Sequence, residues 1–366
     1  MLQILRLPLV FVLGFLPSCV NGQMPPRQVL SELPVDLPRE MRERFDIKDA
    51  DSIGVTSRSN ENKNLSIAEI SIKPVQQKKD SDLKGRLKIE KSADQSASAE
   101  MKSDLPSRSL SSGAAYPQRH SNSDPIWVGE RLIYTISYLG IPAGEVHLEV
   151  LPFKKMNSRK VFHFFGHATS APLFGLFYRL NDTIESFVDY EGIFSHRLHL
   201  ALDEKKQQRD SIELFDSEKK QTFYWSRWEY PDHSKKEVKE TAAIAPFVQD
   251  SLSSLYYLRT IPLEPNAVVS FPMVSEGKSS EVVCTVVRRE SYRSPLGVGT
   301  AIVVRPEVKY GGVLKKTGDS FIWYTDDDRR FPVRMEARVR LGTIVAELKE
   351  IVIGSTPNRG NASVQR

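Results

Sequence analysis

The sequence predicts a mainly β protein, built from extended, curved antiparallel sheets or a half-barrel, with one short helix near 249–259. Two observations predict it. Short segments of alternating apolar and polar residues recur at roughly 10- to 15-residue spacing from Trp127 onward, separated by glycine-containing turns or charged bends. The aromatic residues are distributed to match: after Phe45 no Phe, Tyr, Trp or Cys occurs until Tyr116, whereas all four tryptophans lie beyond that point. One folded unit over 124–351 is the simplest organisation, and its length is ample for a sizeable core.

The first strand pair is read from Leu132, Tyr134 and Ile136 alternating with Ile133, Thr135 and Ser137. Gly140-Ile141-Pro142-Ala143-Gly144 is expected to turn the chain into the alternating Glu145–Val150. Further strands are expected at 160–167, 183–188, 194–202, 208–215, 221–230, 268–274, 281–289, 299–308, 320–324, 332–339 and 343–351. The break in this pattern is Val248–Arg259, where Asp250 is placed to cap a helix and Leu252, Leu255 and Tyr256 share a face. Such a helix would pack on the sheet and could plug its mouth.

The N-terminus reads as an export signal. Arg6 precedes the apolar run Leu7–Leu16, which is too short for an ordinary transmembrane helix. Leu16-Pro17-Ser18-Cys19 resembles a bacterial lipobox, with Pro17 as its departure. That resemblance implies a signal peptide over 1–18, lipidation of Cys19 and attachment to a membrane through it, while cleavage after Gly22 stays open as the alternative. Residues 19–123, rich in Ser, Lys, Asp, Glu, Gln and Pro, are expected to form a disordered tether, and 352–366 a disordered tail. The expected location is the periplasm or outer membrane of a diderm bacterium.

The net charge of +5 does not point to a polyanion. Residues 124–350 carry 31 basic and 31 acidic side chains, so the excess lies at the two ends. No nucleic-acid partner is expected. Cys284, in the apolar run Val282–Val287, is expected to be a buried structural thiol.

Gly129-Glu130-Arg131-Leu132 with Tyr134, Ala143-Gly144, Asp182 with Glu185-Ser186 and Asp189 stand in a fixed order along the chain. Asp250–Arg259, Ile322-Trp323-Tyr324, Asp327, Arg329-Arg330, Pro332-Val333 and Gly342 follow them. In that order, over about 126–350, they resemble the exported bacterial proteins of domain-of-unknown-function family 3108. The resemblance implies an extended, curved β protein and brings no reaction or ligand with it.

Among candidate site residues, Asp182, Glu185 and Asp189 are polar-site or structural candidates, with Glu185 and Asp189 on one strand face and Asp182 on the other. Asp250, Arg259, Asp327 and Arg330 join them. A buried pairing of Asp327 with Arg259 or Arg330 is expected. Phe174, Phe177 and Tyr178 lie in an apolar stretch interrupted by Pro172 and Gly175, as a loop at a cavity rim would. With Trp225, Trp228 and Trp323 they are the candidate contacts for a ligand or partner. No serine elbow, phosphate loop, dinucleotide fingerprint or zinc spacing occurs, so no catalytic residue, metal or cofactor is assigned. Three functions fit: a noncatalytic envelope protein that binds a lipid or other apolar ligand, a glycan or an envelope protein; a structural or assembly component of the envelope; and a wall-modifying hydrolase.

Overall fold

The computed structural model describes residues 33–34, 37–50, 116–117, 119, 124–175, 178–311, 313–314, 319–339 and 342–355. Cys19, the apolar run before it, Phe177 and most of the expected tether lie outside these residues. Three short helices occur among them: α1 (Arg39–Arg44), α2 (Pro172–Gly175) and α3 (Ser253–Tyr257), the last continuing as a 3-10 turn over Leu258–Thr260.

In chain order the strands are β1 (Lys48–Asp49), β2 (Arg131–Tyr138), β3 (Ile141–Met156), β4 (Arg159–Ser170), β5 (Asn181–Asp189) and β6 (Ser195–Glu204). They continue as β7 (Gln207–Asp216), β8 (Gln221–Glu229), β9 (Lys235–Ala243), β10 (Val268–Ser275) and β11 (Lys278–Ser294). The last are β12 (Gly297–Tyr310), β13 (Val313–Leu314), β14 (Ser320–Thr325), β15 (Pro332–Val339) and β16 (Gly342–Val352). All sixteen join one antiparallel sheet in the order β10-β11-β12-β14-β15-β16-β2-β3-β4-β5-β6-β7-β8-β9, with β1 on β3 and β13 on β12.

Every ladder is antiparallel and most connect chain neighbours, so short turns suffice. The exception is β16 beside β2, which brings the end of the domain back to its beginning and sets the two halves of the chain side by side. The turn between β2 and β3 is tighter than expected. It uses only Leu139 and Gly140, both at positive φ, so that Ile141–Gly144 already belong to β3. Strand β9 lacks apolar alternation, and most of its residues are exposed. Its lysines and glutamates suit an edge strand, where charge discourages pairing with other chains.

The sheet curls around α3, so its inner face is the core. Phe164 on β4 stacks on Tyr256 with ring centroids 3.9 Å apart, and Phe271 on β10 meets Tyr257 edge-on at 5.1 Å. From β14, the Tyr324 hydroxyl donates to the Leu255 carbonyl at 3.1 Å. Residues Ser253–Tyr257 are all buried, so this helix has no solvent face and fills the curve of the sheet rather than lying on it. Cys284 lies in the same core, where burial pushes its thiol up to about 12.

The outer face is covered locally by residues that composition assigned to the tether. Leu37, Met41 and Phe45 are buried against Met156, Val161, Phe187, Ile212, Leu214 and Trp225. Arg44 pairs with Asp216, and Arg197 donates to the Phe45 carbonyl. Apolar residues four apart in and around α1 make one stripe, which needs only a matching apolar face to bury it. The face was invisible in a local reading because it is assembled from five strands. At its other end the domain runs on to Ser355, whose N–H donates to the Val128 carbonyl, rather than stopping at 351.

The β10–β11 hairpin at one end of the strand order meets the β7–β9 end without a ladder among the described residues, the Ser279 hydroxyl donating to the Ala243 carbonyl of the edge strand β9 at 3.3 Å. Glu213 on β7 is fully buried, and its carboxylate accepts the N–H groups of Glu276 and Gly277 in the β10–β11 turn at 3.0 and 2.8 Å. Arg209, also on β7, ion-pairs with Glu276 at 2.8 Å. Burial raises the Glu213 carboxyl from 4.5 to about 7, in spite of those donors. A folded-state value above the unfolded one means the native protein binds the proton more tightly. The contribution of Glu213 to stability is therefore complete below about pH 4.5 and lost as pH rises through about 7. Urea-unfolding midpoints across this window should fall with rising pH in the parent relative to Glu213→Gln, in which that slope is absent.

Candidate functional site

The candidate polar residues and the aromatic loop sit in different places. Around α3 the polar residues form two buried anchors. At its start, Asp250 Oδ1 accepts the N–H groups of Leu252 and Ser253 at 2.8 and 2.7 Å, while Oδ2 accepts the hydroxyls of Ser186 on β5 and Ser195 on β6. Gln249 reaches the Ile193 carbonyl at 2.6 Å. Burial raises the Asp250 carboxyl, and this ring of donors works in the opposite direction.

At the other end, the guanidinium of Arg259 is completely enclosed. It makes a bidentate pair with Glu130 at 2.6 and 2.8 Å and also donates to the carbonyls of Pro125 and Arg329. Arg329 shares Glu130 at 2.7 Å and lies over the Trp127 ring at 3.6 Å. The expected pairing of Asp327 with Arg259 or Arg330 is therefore corrected: the carboxylate opposite Arg259 is Glu130. Asp327 instead accepts the backbone N–H groups of Arg329 and Arg330 and the Thr325 hydroxyl, closing the β14–β15 turn. Arg330 donates to the Arg259 carbonyl at 2.9 Å. A short acidic side chain at the head of a turn satisfies the nearest backbone donors, and that local option outcompetes a distant arginine.

The three acids of β5 do not converge. Asp182 is buried and accepts the Asp203 N–H at 3.0 Å. Asp189 ties Arg159, His196 and the Gly192 N–H into the β5–β6 turn. Burial opposes its charge, yet Arg159 and His196 hold it well below the usual carboxylate range. Glu185 lies between His163 and His199 at 3.8 Å from each, and contacts from His163 first and His199 second hold it well below that range. His199 also meets Asp210 at 2.8 Å. Burial disfavours charge on this imidazole, but Asp210 and Glu185 outweigh it and its pKa is raised. This array is on the outer face near α1. Among the described residues no group of three or more such side chains is arranged to hold a metal.

The tryptophans are dispersed as well. Trp225 is buried under α1 and donates to Glu237 at 2.6 Å. Trp228 is flanked by Arg209 and Lys236, each 5.0 Å from its ring. Trp323 is buried on β14 with Arg334 over its ring.

Phe174 and Tyr178 border an opening. With Ile136, Ala143, Gly144, Glu145, Val146, Ala168, Thr169, Ser170 and Leu180 they line a cleft of about 280 Å³, part of it open to solvent. The loop carrying α2 forms one wall, held by the Ala171 N–H on the Ala143 carbonyl at 2.8 Å. Strands β2, β3 and β4 form the floor. Space exists there because the facing positions are small: Ala143, Gly144 and Ala168. A Cβ on Gly144 would stand 2.2 Å from the Thr169 carbonyl oxygen, so only glycine allows β3 and β4 this approach. These small lining residues were not singled out as site candidates from the sequence, where Ala143-Gly144 read as a turn. A run of small residues on facing strands, next to an aromatic loop, is the signal that could have found them.

A family model described as a protein of unknown function (DUF3108) matches residues 133–349. The chain belongs to the DUF3108 family. No curated protein matches this DUF3108 chain. Among solved structures it is similar to a β-barrel-like DUF1849 protein of Brucella abortus, at 9% identity and a TM-score of 0.38, covering 62% of this chain and 97% of that one. Two others match at 8% identity and a TM-score of 0.28. One is a protein of YmcC-like fold from Bacteroides fragilis, inferred to be exported, with 62% of this chain and 96% of that one covered. The other is an inferred lipoprotein of Parabacteroides distasonis, with 65% and 100% covered.

Removing Glu130 leaves the enclosed Arg259 guanidinium without a carboxylate. Glu130→Ala should therefore destabilise the domain by about 3–5 kcal/mol in denaturant unfolding. Arg259→Met combined with Glu130→Gln should recover part of that loss, because neither charge then remains in the core.

Proposed function

We propose that this DUF3108 protein is an exported, noncatalytic protein of the cell envelope that binds an apolar ligand in the cleft beside Phe174 and Tyr178. The cleft is the observation that carries this reading. It opens from the inner face of a sheet that is otherwise packed around α3, and its walls are aliphatic or aromatic except at Glu145, Thr169 and Ser170. Recognition sites for apolar molecules have this composition, with a few polar groups to orient one end. Support for export comes from Arg6, the Leu7–Leu16 run and the lipobox-like Cys19.

The polar clusters favour binding over chemistry. Asp182, Asp189, Asp250 and Arg259 are tied to neighbouring backbone or side chains within the fold and face no part of the cleft. The Glu185 array is on the opposite face of the sheet from the cleft floor.

The test is binding of a fluorescent long-chain fatty acid to the full chain. Saturable binding is expected, and Ala168→Phe, which fills the cleft, should weaken it by at least about tenfold, the loss of roughly one buried apolar group. Equal affinity in parent and Ala168→Phe, with both shown folded by circular dichroism, would remove the cleft from the account.

A further inference from the structure

Composition assigns 19–123 to one long tether, yet its described parts are fixed to the domain at two places. The first is 37–50 on the outer face. Leu37, Met41 and Phe45 are at most 6% exposed there, and β1 pairs Lys48 and Asp49 with Lys155 and Lys154 of β3. The second is the stretch that enters the domain. Tyr116 stacks on Phe194 with centroids 5.8 Å apart and lies under the Arg159 guanidinium at 4.1 Å, and the Arg119 N–H donates to the Glu191 carbonyl at 2.9 Å.

These two attachments are neighbours. One carboxylate joins them: Glu218, in the β7–β8 turn, pairs with Arg44 through Oε2 at 2.8 Å and accepts the Tyr116 hydroxyl on Oε1. The β3–β4 hairpin joins them again, since Lys154 before its turn meets Asp49 and Arg159 after it meets Tyr116. Residues 51–115 therefore leave the domain and return to it at the same end of the sheet. Their length adds nothing to the distance between the domain and whatever holds the chain upstream.

The consequence is a change of reach. With 37–50 docked, the connection from Cys19 ends at Leu33, which packs at the edge of the same apolar cluster, 14 peptide steps away. Such a length spans at most about 50 Å fully extended. Were 37–50 undocked, the first fixed residue would be Tyr116, 97 steps from Cys19. That length could span on the order of 300 Å. Apolar burial and the pairing of Arg44 with Asp216 and Glu218 hold the docked state, and both are reversible.

We infer that 37–50 is a clamp through which the membrane anchor at Cys19 holds the domain at short range, with 51–115 a side branch of that connection. The inference rests on the envelope reading for the N-terminus and is independent of the cleft. Release of the clamp lengthens the reach several-fold without a cut in the chain.

Cutting the side branch tests it. A site for a sequence-specific protease is inserted between Ser81 and Asp82 of the full chain, and membranes from cells that make it are treated with that protease. The fragment that begins at Asp82 should stay with the membranes, and after detergent extraction it should co-elute with the N-terminal fragment. Met41→Glu with Phe45→Glu removes two buried apolar contacts, which should weaken this association by about a hundredfold and release the domain on cutting. Arg44→Glu leaves those contacts in place but faces Asp216 and Glu218 with a like charge, and should release part of it. Both purified variants should keep the parent's far-ultraviolet circular dichroism, because the core around α3 is a separate cluster.

Release of the domain from the cut parent, with fragments that separate in detergent, overturns the clamp. Retention that persists in Met41→Glu with Phe45→Glu overturns it too, because the domain then holds the membrane by another contact. If the uncut parent is already free of the membranes, the anchor reading fails instead. Co-elution of the cut fragments that is lost in the double variant then still supports the clamp, and their separation in the parent overturns it.

Discussion

The enclosed pair of Arg259 and Glu130 is the constraint around which the domain is organised. Glu130 stands at the entry to β2 and Arg259 at the exit of α3, 129 residues apart. A guanidinium with no exposure is tolerable only when every nearby acceptor is in place, and here the carbonyls of Pro125 and Arg329 complete what the carboxylate begins. Those carbonyls come from the start of the domain and from the β14–β15 turn. Satisfying one side chain therefore fixes three distant pieces of chain against one another.

Much of the rest follows from where that leaves α3. With Asp250 bound to Ser186 and Ser195 at the opposite end, the helix is tied to β5 and β6 as firmly as to β2 and β14. Its tyrosines then meet Phe164 and Phe271 from opposite parts of the sheet. Curvature is the consequence, because a flat sheet could not reach the helix from both directions. Glu213 and the Glu276-Gly277 turn bring the β10–β11 hairpin against the β7–β9 end without a ladder among the described residues. The buried polar residues at both ends of α3 thus hold an internal helix, and a buried ion pair used this way specifies an arrangement more than it adds stability.

The cleft is a separate surface from these anchors, lined chiefly by small and apolar residues. The two faces of the sheet divide their work accordingly: the outer face near β5 to β8 is charged and covered by 37–50, while the inner face opens to solvent between α2 and β3.

The strand pattern and the helix at 249–259 were legible in the sequence, since both depend on local periodicity and a local cap. Asp250 could be read as a cap because its partners Leu252 and Ser253 are two and three residues away. Strand β9 was not legible: its Lys-Glu composition meets the needs of an exposed edge, and carries no apolar period. Nor was the docking of 37–50, whose receiving face joins β3, β4, β5, β7 and β8. Asp327 was expected to pair with Arg259 or Arg330, but a buried charge is paired by three-dimensional proximity, and chain order gives no guide to Glu130 as the partner of Arg259. The sequence by itself determined the family and the β class, and it placed Phe174 and Tyr178 in one aromatic stretch. Tertiary structure decided that these two aromatics meet Ala143, Gly144 and Ala168 around a cleft, because a space between strands is set by what side chains from separate segments fail to fill.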